Sequence, residues 1–345
     1  MKTGIAIGGA ASSGDFEPLA RFAVEAEKLG VDSAWSAEAW GQDGVSPLAF
    51  LAARTTRIRL GTGILQISAR APSMTAMTAL TLAALSKNRF VLGLGASGPQ
   101  VVEGLQGQPF AHPLQRMRET VEIVRMAFRG EKLQYEGEIH RLPRPGGEGK
   151  ALRLAQPPNP GIPIYLATLA PRMLELTGEL ADGWLGTSFT PDHAEAHLEH
   201  IRRGAERAGR SLADLEICVQ ASVGFADDPE PLIRSRKPYL AFTLGAMGSA
   251  KTNFYNAAYR RGGFADAAAE VQRLWLEGKR DEAARRVPDE MVIQSSLIGT
   301  EPMVRDRLQI YRKAGVGLIV VTPIGQGATE QLDTLGRAVE LVRAA

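Results

Sequence analysis

A regular alternation of short apolar runs with longer amphipathic segments most constrains the fold of this 345-residue chain. Residues 4–7 have the pattern of a strand, and residues 16–30 place apolar side chains at helical spacing before ending on Gly30. Five further units repeat this order, and two more strand-like runs occupy residues 216–226 and 316–323. Strands that alternate with helices predict a parallel sheet. Eight units are typical of a (β/α)8 TIM barrel, an α/β fold with its active site at the carboxyl ends of the strands.

Two stretches interrupt this rhythm. Residues 130–161 are rich in Pro and Gly, and residues 242–299 carry no clear strand–helix unit. Long extra segments in a compact domain usually cover or build a site. We therefore predict one domain over residues 1–345, with both insertions near the mouth of the barrel.

Composition excludes several functions. Forty Lys and Arg residues nearly balance 38 Asp and Glu residues, and no basic tract with interleaved aromatic residues indicates nucleic-acid binding. The first apolar run ends at Ile7, and no window of about 20 apolar residues predicts a membrane span. We expect a soluble cytoplasmic protein. Its one cysteine, Cys218, lies in a strand-like run and predicts a buried, inert thiol.

The segment FVLGLGASG, residues 90–98, contains the spacing G-x-G-x-x-G directly after an apolar run. A Rossmann loop needs a full-length helix next, and an acidic residue about 20 positions on at the end of a strand. Here residues 100–110 are interrupted by glycines and a proline, so the dinucleotide interpretation fails. We instead interpret Gly93 and Gly95 as the site of a sharp turn at the end of the fourth barrel strand. A glycine turn with no ligand is the alternative.

Several segments together resemble the luciferase-like monooxygenase superfamily: AWSAEAWG (34–41), the run from Gly61 to Gly107, IYLATLAPRMLELTGELADGWLG (164–186) and GAMGSAKTNFYN (245–256). Within it, the chain is similar to the branch that depends on the deazaflavin coenzyme F420, such as methylenetetrahydromethanopterin reductase. The resemblance spans most of the chain. Its motifs SGPQVVEG and ELADGW are specific when they occur together.

The resemblance implies a barrel that holds a deazaflavin at its carboxyl mouth, where a hydride moves between the ring's C5 and a substrate. It also implies a non-proline cis peptide, here Gly63–Ile64, behind the ring. The implied cofactor-binding residues follow the third, fourth and fifth barrel strands: Gly63, Ile64, Leu65, Ser97, Gly98, Gln100, Thr168, Leu169 and Ala170. Among them, Gly98 and Gln100 are expected to border the ring or the substrate.

The implied phosphate loop is Thr168, Leu169 and Ala170, just before a helix that begins near Pro171. The free amides at a helix amino end bind anions without needing a lysine. The chain has no G-x-x-x-x-G-K-[ST] phosphate loop, which agrees with this assignment. An ordinary turn without a ligand is the alternative.

Glu38 ends the second strand, where relatives often carry an acid followed by His, but the next residue here is Ala39. A carboxylate at the mouth could act as a catalytic acid or base, or could hold the ring's polar edge. An exposed structural glutamate is the alternative. Methanopterin-using relatives can present a Glu in the first strand, where this chain has Ala6. This difference argues against methanopterin as the substrate.

His193, His197 and His200 share one helical face in HAEAHLEH, a spacing that zinc sites use. They flank the apolar face of a predicted outer helix, far from the barrel's chemistry, so we interpret them as a solvated face. No metal site is predicted.

The leading functional hypothesis is an F420-dependent oxidoreductase that acts on a small organic molecule. An FMN-dependent monooxygenase of the same fold is one alternative, and a binding protein that carries a flavin or deazaflavin without turnover is another. The apolar run at residues 74–86, MTAMTALTLAALS, predicts a homodimer, because its small residues allow close helix contact.

Overall fold

The computed structural model describes residues 1–8, 14–248 and 252–344. Residues 249–251, part of one segment that carries the resemblance, lie outside these ranges. The strands of the described residues, in chain order, are β1 (Lys2–Ala6), β2 (Ser33–Ser36), β3 (Arg59–Thr62), β4 (Leu65–Gln66), β5 (Phe90–Gly95), β6 (Tyr135–Glu136), β7 (Arg141–Leu142), β8 (Ile164–Ala167), β9 (Gly183–Gly186), β10 (Glu216–Phe225), β11 (Ser296–Gly299) and β12 (Leu318–Pro323).

The α-helices surround the strands and also build the second insertion. They are α1 (Glu17–Leu29), α2 (Ser46–Arg54), α3 (Pro72–Leu85), α4 (Pro99–Val102), α5 (Pro113–Phe128), α6 (Pro171–Leu180), α7 (Glu195–Arg207), α8 (Glu230–Ala246), α9 (Phe254–Tyr259), α10 (Ala265–Leu276), α11 (Arg280–Arg286), α12 (Asp289–Gln294), α13 (Glu301–Lys313) and α14 (Gly327–Ala344). Among the described helices, none combines the length and apolarity that crossing a membrane requires.

Eight parallel strands close into a barrel, as predicted. The order of neighbours is β12, β1, β2, β3, β5, β8, β9 and β10, and β10 pairs again with β12 to close the ring. Most positions of these strands are buried on both faces, which explains their nearly continuous apolar runs. Strand β4 continues the course of β3 and pairs with β5, while β11 pairs with the carboxyl half of β10.

Two cores fill the barrel domain. The larger core lies between the strands and the surrounding helices. The smaller core occupies the barrel interior and consists of Trp35, Val91, Tyr165, Leu185, Cys218, Leu318 and Val320. Cys218 is buried as predicted, and burial raises the pKa of its thiol.

A polar cluster closes the amino end of the barrel. The Glu216 carboxylate accepts hydrogen bonds from the Lys2 ammonium at 2.7 Å, from the Arg59 guanidinium at 3.3 Å and from the Tyr165 hydroxyl. Burial opposes ionisation of Glu216, but these donors keep its pKa below the usual range. The first residues of three strands, Lys2, Arg59 and Glu216, are thus bonded to one another across this end of the barrel.

The first insertion is attached to the barrel through a buried carboxylate. Its β6–β7 hairpin is antiparallel, and the backbone amides of Glu138, Ile139 and His140 donate to Glu119 on α5. Glu119 is 0% exposed. Burial opposes its ionisation, while Gln115 and the three amides lower its pKa. The hairpin is thus fixed to the amino half of α5.

The second insertion, predicted over residues 242–299, belongs to a helical subassembly, α8 to α12, that already begins at Glu230 and has a hydrophobic core of its own. It contacts the loops at the carboxyl ends of the strands. Arg261 donates to the Leu169 carbonyl at 2.6 Å, and the rings of Phe254 and Phe110 lie 6.2 Å apart. These contacts bring the insertion to the loops that follow β8 and β5.

A second buried carboxylate, Glu27 on α1, ties α1 to the loop before β3. Its Oε1 accepts the amides of Thr56 at 2.9 Å, Arg57 at 2.6 Å and Ile58 at 2.8 Å. Burial opposes ionisation, but these amides keep the pKa of Glu27 below its usual value. The ionised form therefore stabilises the fold.

We predict that Glu27→Gln lowers the free energy of unfolding at pH 7 by about 1.5–3 kcal/mol, since it removes charge-assisted hydrogen bonds and turns an amide group toward amide donors. The control Glu25→Gln, on the exposed face of the same helix, should cost about 0.5 kcal/mol or less. Because the folded pKa is lowered, the difference between wild type and Glu27→Gln should shrink as the pH falls below about 4.5. Denaturant unfolding at several pH values measures this. Equal costs for the two variants would contradict the assignment.

Candidate active site

The barrel mouth is open on the side of β1, β10 and β12. Ala6, Gln220 and Thr322 are exposed although they belong to strands of the closed sheet. Side chains alternate along a strand, and the residues two positions earlier in β10 and β12, Cys218 and Val320, belong to the barrel interior. The three exposed side chains therefore point inward, into a cavity that opens at the carboxyl end.

Gln220 and Thr322 were not predicted as site residues. Counting every second residue from the buried interior positions would have identified both.

Trp35 forms the floor of the mouth. Its indole nitrogen donates to Ser33 Oγ at 2.9 Å, and its ring lies 5.8 Å from that of Tyr165. A Cβ on Gly61 would lie 2.4 Å from the indole, so glycine is needed for the ring to occupy this position. These contacts fix the indole below the open cavity.

The peptide bond Gly63–Ile64 is cis, as the resemblance implied. Ile64 follows the third barrel strand, β3, and its side chain packs against the interior core. Both Gly63 and Ile64 are partly exposed, whereas Leu65 is 1% exposed and belongs to the outer core. We call Gly63 and Ile64, between β3 and β4, the β3 bulge. The β3 bulge presents the first two predicted cofactor residues to the mouth, while the Leu65 side chain points away from it.

Our interpretation of Gly93 and Gly95 as a turn is wrong. Both are buried residues inside β5. A Cβ on Gly93 would lie 1.8 Å from the Thr62 carbonyl oxygen, and one on Gly95 would lie 2.9 Å from the Ile64 side chain. The two glycines therefore make room for the neighbouring β3 bulge, a requirement that neither the Rossmann fingerprint nor a turn describes.

We predict that Gly93→Ala is destabilising by about 3 kcal/mol or more, because the added methyl group meets a backbone carbonyl that cannot move freely. Gly98→Ala is the matched control from the same motif, since the nearest atom to its Cβ would be 3.7 Å away. The control should fold with nearly unchanged stability. Thermal or denaturant unfolding measures both variants, and a Gly93→Ala protein as stable as the control would contradict this role.

The loop after β5 lies at the carboxyl end of the barrel, as predicted. Ser97 adopts a left-handed conformation with φ 59°, and Gly98 precedes the short helix α4. Ser97 and Gly98 are partly exposed and Gln100 is exposed. Contact of these three residues with a ring or substrate stays a prediction.

The loop after β8 combines a buried anchor with a free helix end. Thr168 Oγ1 lies 2.7 Å from Thr177 Oγ1 in α6, and the Thr168 carbonyl accepts from the Trp184 indole at 2.9 Å. The Thr168 side chain therefore fixes the loop and does not face the mouth. Leu169 and Ala170 are partly exposed, and Ala170 caps α6 without a side-chain hydrogen bond.

The amino end of α6 also has a cation beside it. The first amide bonded within this turn is that of Leu174, which donates to Ala170, so the preceding amides are available. Arg261 donates one guanidinium hydrogen bond to the Leu169 carbonyl, and its Nε is enclosed without a partner among the described residues. Burial lowers the pKa of Arg261. Because Arg261 lies 92 positions from Leu169, no local pattern could have indicated this contact.

Glu38 is engaged in an ion pair. Both its carboxylate oxygens accept from the Arg70 guanidinium, one of them at 2.7 Å, and one also accepts the Gly44 amide at 3.1 Å. The Gln66 side chain donates to the Glu38 carbonyl at 3.1 Å. This pairing with Glu38 raises the pKa of Arg70. These donors hold the carboxylate at the rim, and its predicted catalytic role stays a prediction.

The prediction of a solvated histidine face is wrong for His197. His197 is 1% exposed, with its ring 5.5 Å from Trp184 and 5.9 Å from Phe189. Burial, and then the charge of Arg261, lowers the pKa of His197 to about 4. The buried face of α7 includes residue 197, which the sequence placed at its edge. In the described part of the chain, no group of three potential ligands could hold a metal ion.

Comparisons with known proteins agree with this architecture. A family model described as luciferase-like monooxygenase matches residues 1–318. The chain is 42% identical to a Mycobacterium tuberculosis protein whose name describes it as a candidate coenzyme F420-dependent oxidoreductase, over 93% of this chain and 94% of the relative. It is 30% identical to 5,10-methylenetetrahydromethanopterin reductase of Archaeoglobus fulgidus, over 91% and 92% of the two chains.

Among solved structures, the coenzyme F420-dependent tetrahydromethanopterin reductase of Methanopyrus kandleri has a TM-score of 0.81 at 24% identity, with 98% of each chain covered. This likeness shows the shared fold. The family match and the relatives together show that the chain belongs to the luciferase-like monooxygenase family, whose members here include oxidoreductases.

Proposed function

We propose that this protein is a cytoplasmic oxidoreductase that uses coenzyme F420 and a small organic substrate. The observation that carries the proposal is the pairing of two features at the carboxyl end of one barrel. One is a mouth lined by the uncharged side chains of Ala6, Gln220 and Thr322, and the other is the positive amino end of α6 beside Arg261. An uncharged cavity suits a flat ring, and a helix amino end suits an anionic chain.

The residues present fit a deazaflavin cofactor. Ala170 has no side chain that could occupy the α6 amides, and the enclosed Nε of Arg261 is an unused donor beside the Leu169 carbonyl. Leu169, Ala170 and Arg261 would hold the phosphate-bearing chain, while Ile64 and Trp35 would border the ring. When bound, the deazaflavin supplies a carbon centre that carries a hydride.

The protein's own part in this reaction is to position and enclose the reactants. Trp35 closes the cavity below, and the polar cluster around Glu216 closes the amino end of the barrel. Exclusion of water and fixed orientation are what a hydride transfer needs from its protein. In this proposal, Glu38 shapes the rim through Arg70 and Gly44, since its carboxylate is already hydrogen-bonded.

The name of the Mycobacterium tuberculosis relative supports F420 over FMN. The substrate is proposed to differ from methanopterin, because Ala6 points into the mouth and provides no carboxylate there. The wall of the mouth formed by β10 and β12 suits a smaller organic molecule, which Gln220 and Thr322 would hold. Both side chains can donate and accept hydrogen bonds.

Titration of the purified protein with F420 and with FMN tests the cofactor. We expect F420 to bind, with a change in its fluorescence, and to be oxidised or reduced when a suitable substrate is added. FMN should bind at least tenfold more weakly. Tighter binding of FMN, with oxygen consumption, would favour the monooxygenase alternative, and F420 binding without turnover across a broad substrate panel would favour a carrier protein.

We predict that Ala170→Asp weakens F420 binding about a hundredfold or more. The new carboxylate would repel a phosphate by several kcal/mol at an effective dielectric near 20, and would bond the helix amides that the phosphate needs. Ala71→Asp is a matched control, since Ala71 also caps a helix with proline at its start. The control should bind F420 normally. Unchanged affinity in a folded Ala170→Asp protein would show that the phosphate loop is assigned wrongly.

We further propose that the protein forms a homodimer through α3. This helix carries no charged residue, and its outer face exposes Met74, Met77 and Leu85. Residues 74, 77 and 85 recur at helical spacing, so they form one apolar stripe. An uncharged helix face of this kind is typical of a surface that a second copy covers.

Met77→Arg should convert the dimer to a monomer, because pairing across a two-fold axis would bring two buried cations together. Leu276→Arg, at an exposed apolar position on α10, is the control and should leave the mass unchanged. Light scattering after size-exclusion chromatography measures both. A wild-type protein that is monomeric at all concentrations, or a dimeric Met77→Arg protein, would rule out this interface.

A further inference from the structure

A second cavity lies beside the barrel mouth, between the start of α3 and the β6–β7 hairpin. Its volume is about 380 Å³. Three parts of the chain form its walls: the loop over residues 67–73, Gln108 and Arg116 before and within α5, and His140 and Leu142 of the hairpin. We call this cavity the hairpin groove. Its lining includes none of Ala6, Gln220, Thr322, Leu169 or Ala170, so it is separate from the proposed cofactor site.

The hairpin groove contains a cationic group that lacks an anionic partner. The Arg116 guanidinium has no hydrogen bond or ion pair within the described part of the chain. The neighbouring His140 ring has an enclosed Nε2 without a partner among the described residues. Burial, and then the positive charge of Arg116, lowers the pKa of His140. The His140 ring is therefore neutral at pH 7, and Arg116 carries the unpaired positive charge of the groove.

The acidic groups nearby are already committed. Glu119 lies beneath His140, but it accepts the hairpin amides and the Gln115 side chain. Glu38 pairs with Arg70, which also lines the groove. The groove therefore keeps the positive charge of Arg116, because the nearby carboxylates are bonded to other groups.

The amino end of α3 also lines the groove, through Pro72 and Ser73. The first bonded amide of α3 is that of Thr75, which donates to the Ala71 carbonyl, so the amides of the two preceding residues are available. Arg116 is partly exposed, so its guanidinium is accessible to a ligand in the groove. Arginine binds carboxylates and phosphates through two parallel hydrogen bonds, which gives the Arg116 position a specific chemistry.

We propose that the hairpin groove is a binding site for an oxyanion, a carboxylate or phosphate group of a small ligand, held between Arg116 and His140. Arg116 supplies charge and paired donors, and the His140 ring lines the groove beside it. The hairpin, fixed by Glu119, forms the outer wall. The site is independent of the cofactor, so the proposal stands or falls separately from the proposed function.

Nuclear magnetic resonance of the protein labelled at histidine Cε1 tests this site. Inorganic phosphate and succinate are added separately at pH 7, with sodium chloride at equal ionic strength as the reference. A His140→Gln protein assigns the His140 resonance among the five histidines. We expect phosphate, succinate or both to shift that resonance saturably, while the exposed His193 resonance moves only as it does in chloride.

Arg116→Gln should weaken this binding tenfold or more. Arg153→Gln, which removes the same charge from an exposed position outside the groove, should change it by less than twofold. The resonance of the buried His197 reports that each variant remains folded. A His140 resonance that moves no further with phosphate or succinate than with chloride overturns the proposal. So does binding that is equally strong in the Arg116 and Arg153 variants.

Discussion

The contact of the Trp35 indole with Gly61 and Tyr165 is the constraint on which the mouth of this barrel depends. An eight-stranded barrel normally fills its interior with side chains in layers. Here one large ring, held by Ser33 and by the space that Gly61 leaves, fills the middle of the barrel. Below it, Tyr165 reaches the buried carboxylate of Glu216. The volume above it stays open, and short or uncharged side chains line that volume.

The β3 bulge likewise depends on space that glycines leave free. The Thr62 carbonyl and the Ile64 side chain occupy space that Gly93 and Gly95 leave free in the neighbouring strand. The bulge turns Ile64 toward the mouth and Leu65 into the outer core. One side of the cavity is thus shaped by backbone packing between β3 and β5, and the opposite side by the exposed ends of β1, β10 and β12. The helical insertion then adds the Arg261 charge at the loop after β8.

The sequence predicted the barrel correctly because most positions of the barrel strands are buried and each strand therefore appears as a short apolar run between amphipathic helices. The cis bond at Gly63–Ile64 followed from the resemblance. Other features depend on contacts between distant residues. The Arg261 contact with Leu169 joins residues 92 positions apart, and no local pattern indicates it.

Two misinterpretations have specific physical causes. Gly93 and Gly95 are required by the neighbouring strand, a steric condition that the spacing of glycines along one strand does not express. His197 was assigned to solvent because the apolar periodicity of its helix passes beside it, yet the Trp184 and Phe189 rings extend the buried face to include it. The ion pair of Glu38 with Arg70, 32 positions away, likewise joins two loops whose approach only the fold creates.

A crystal structure of the protein in complex with F420 tests the central claim most directly. The account predicts electron density for the ring in the barrel mouth, above Trp35 and between Ile64 and the inward side chains of Gln220 and Thr322, with the phosphate at the amino end of α6 near Arg261. Density for the ring outside the barrel, or for the phosphate away from α6, would contradict it.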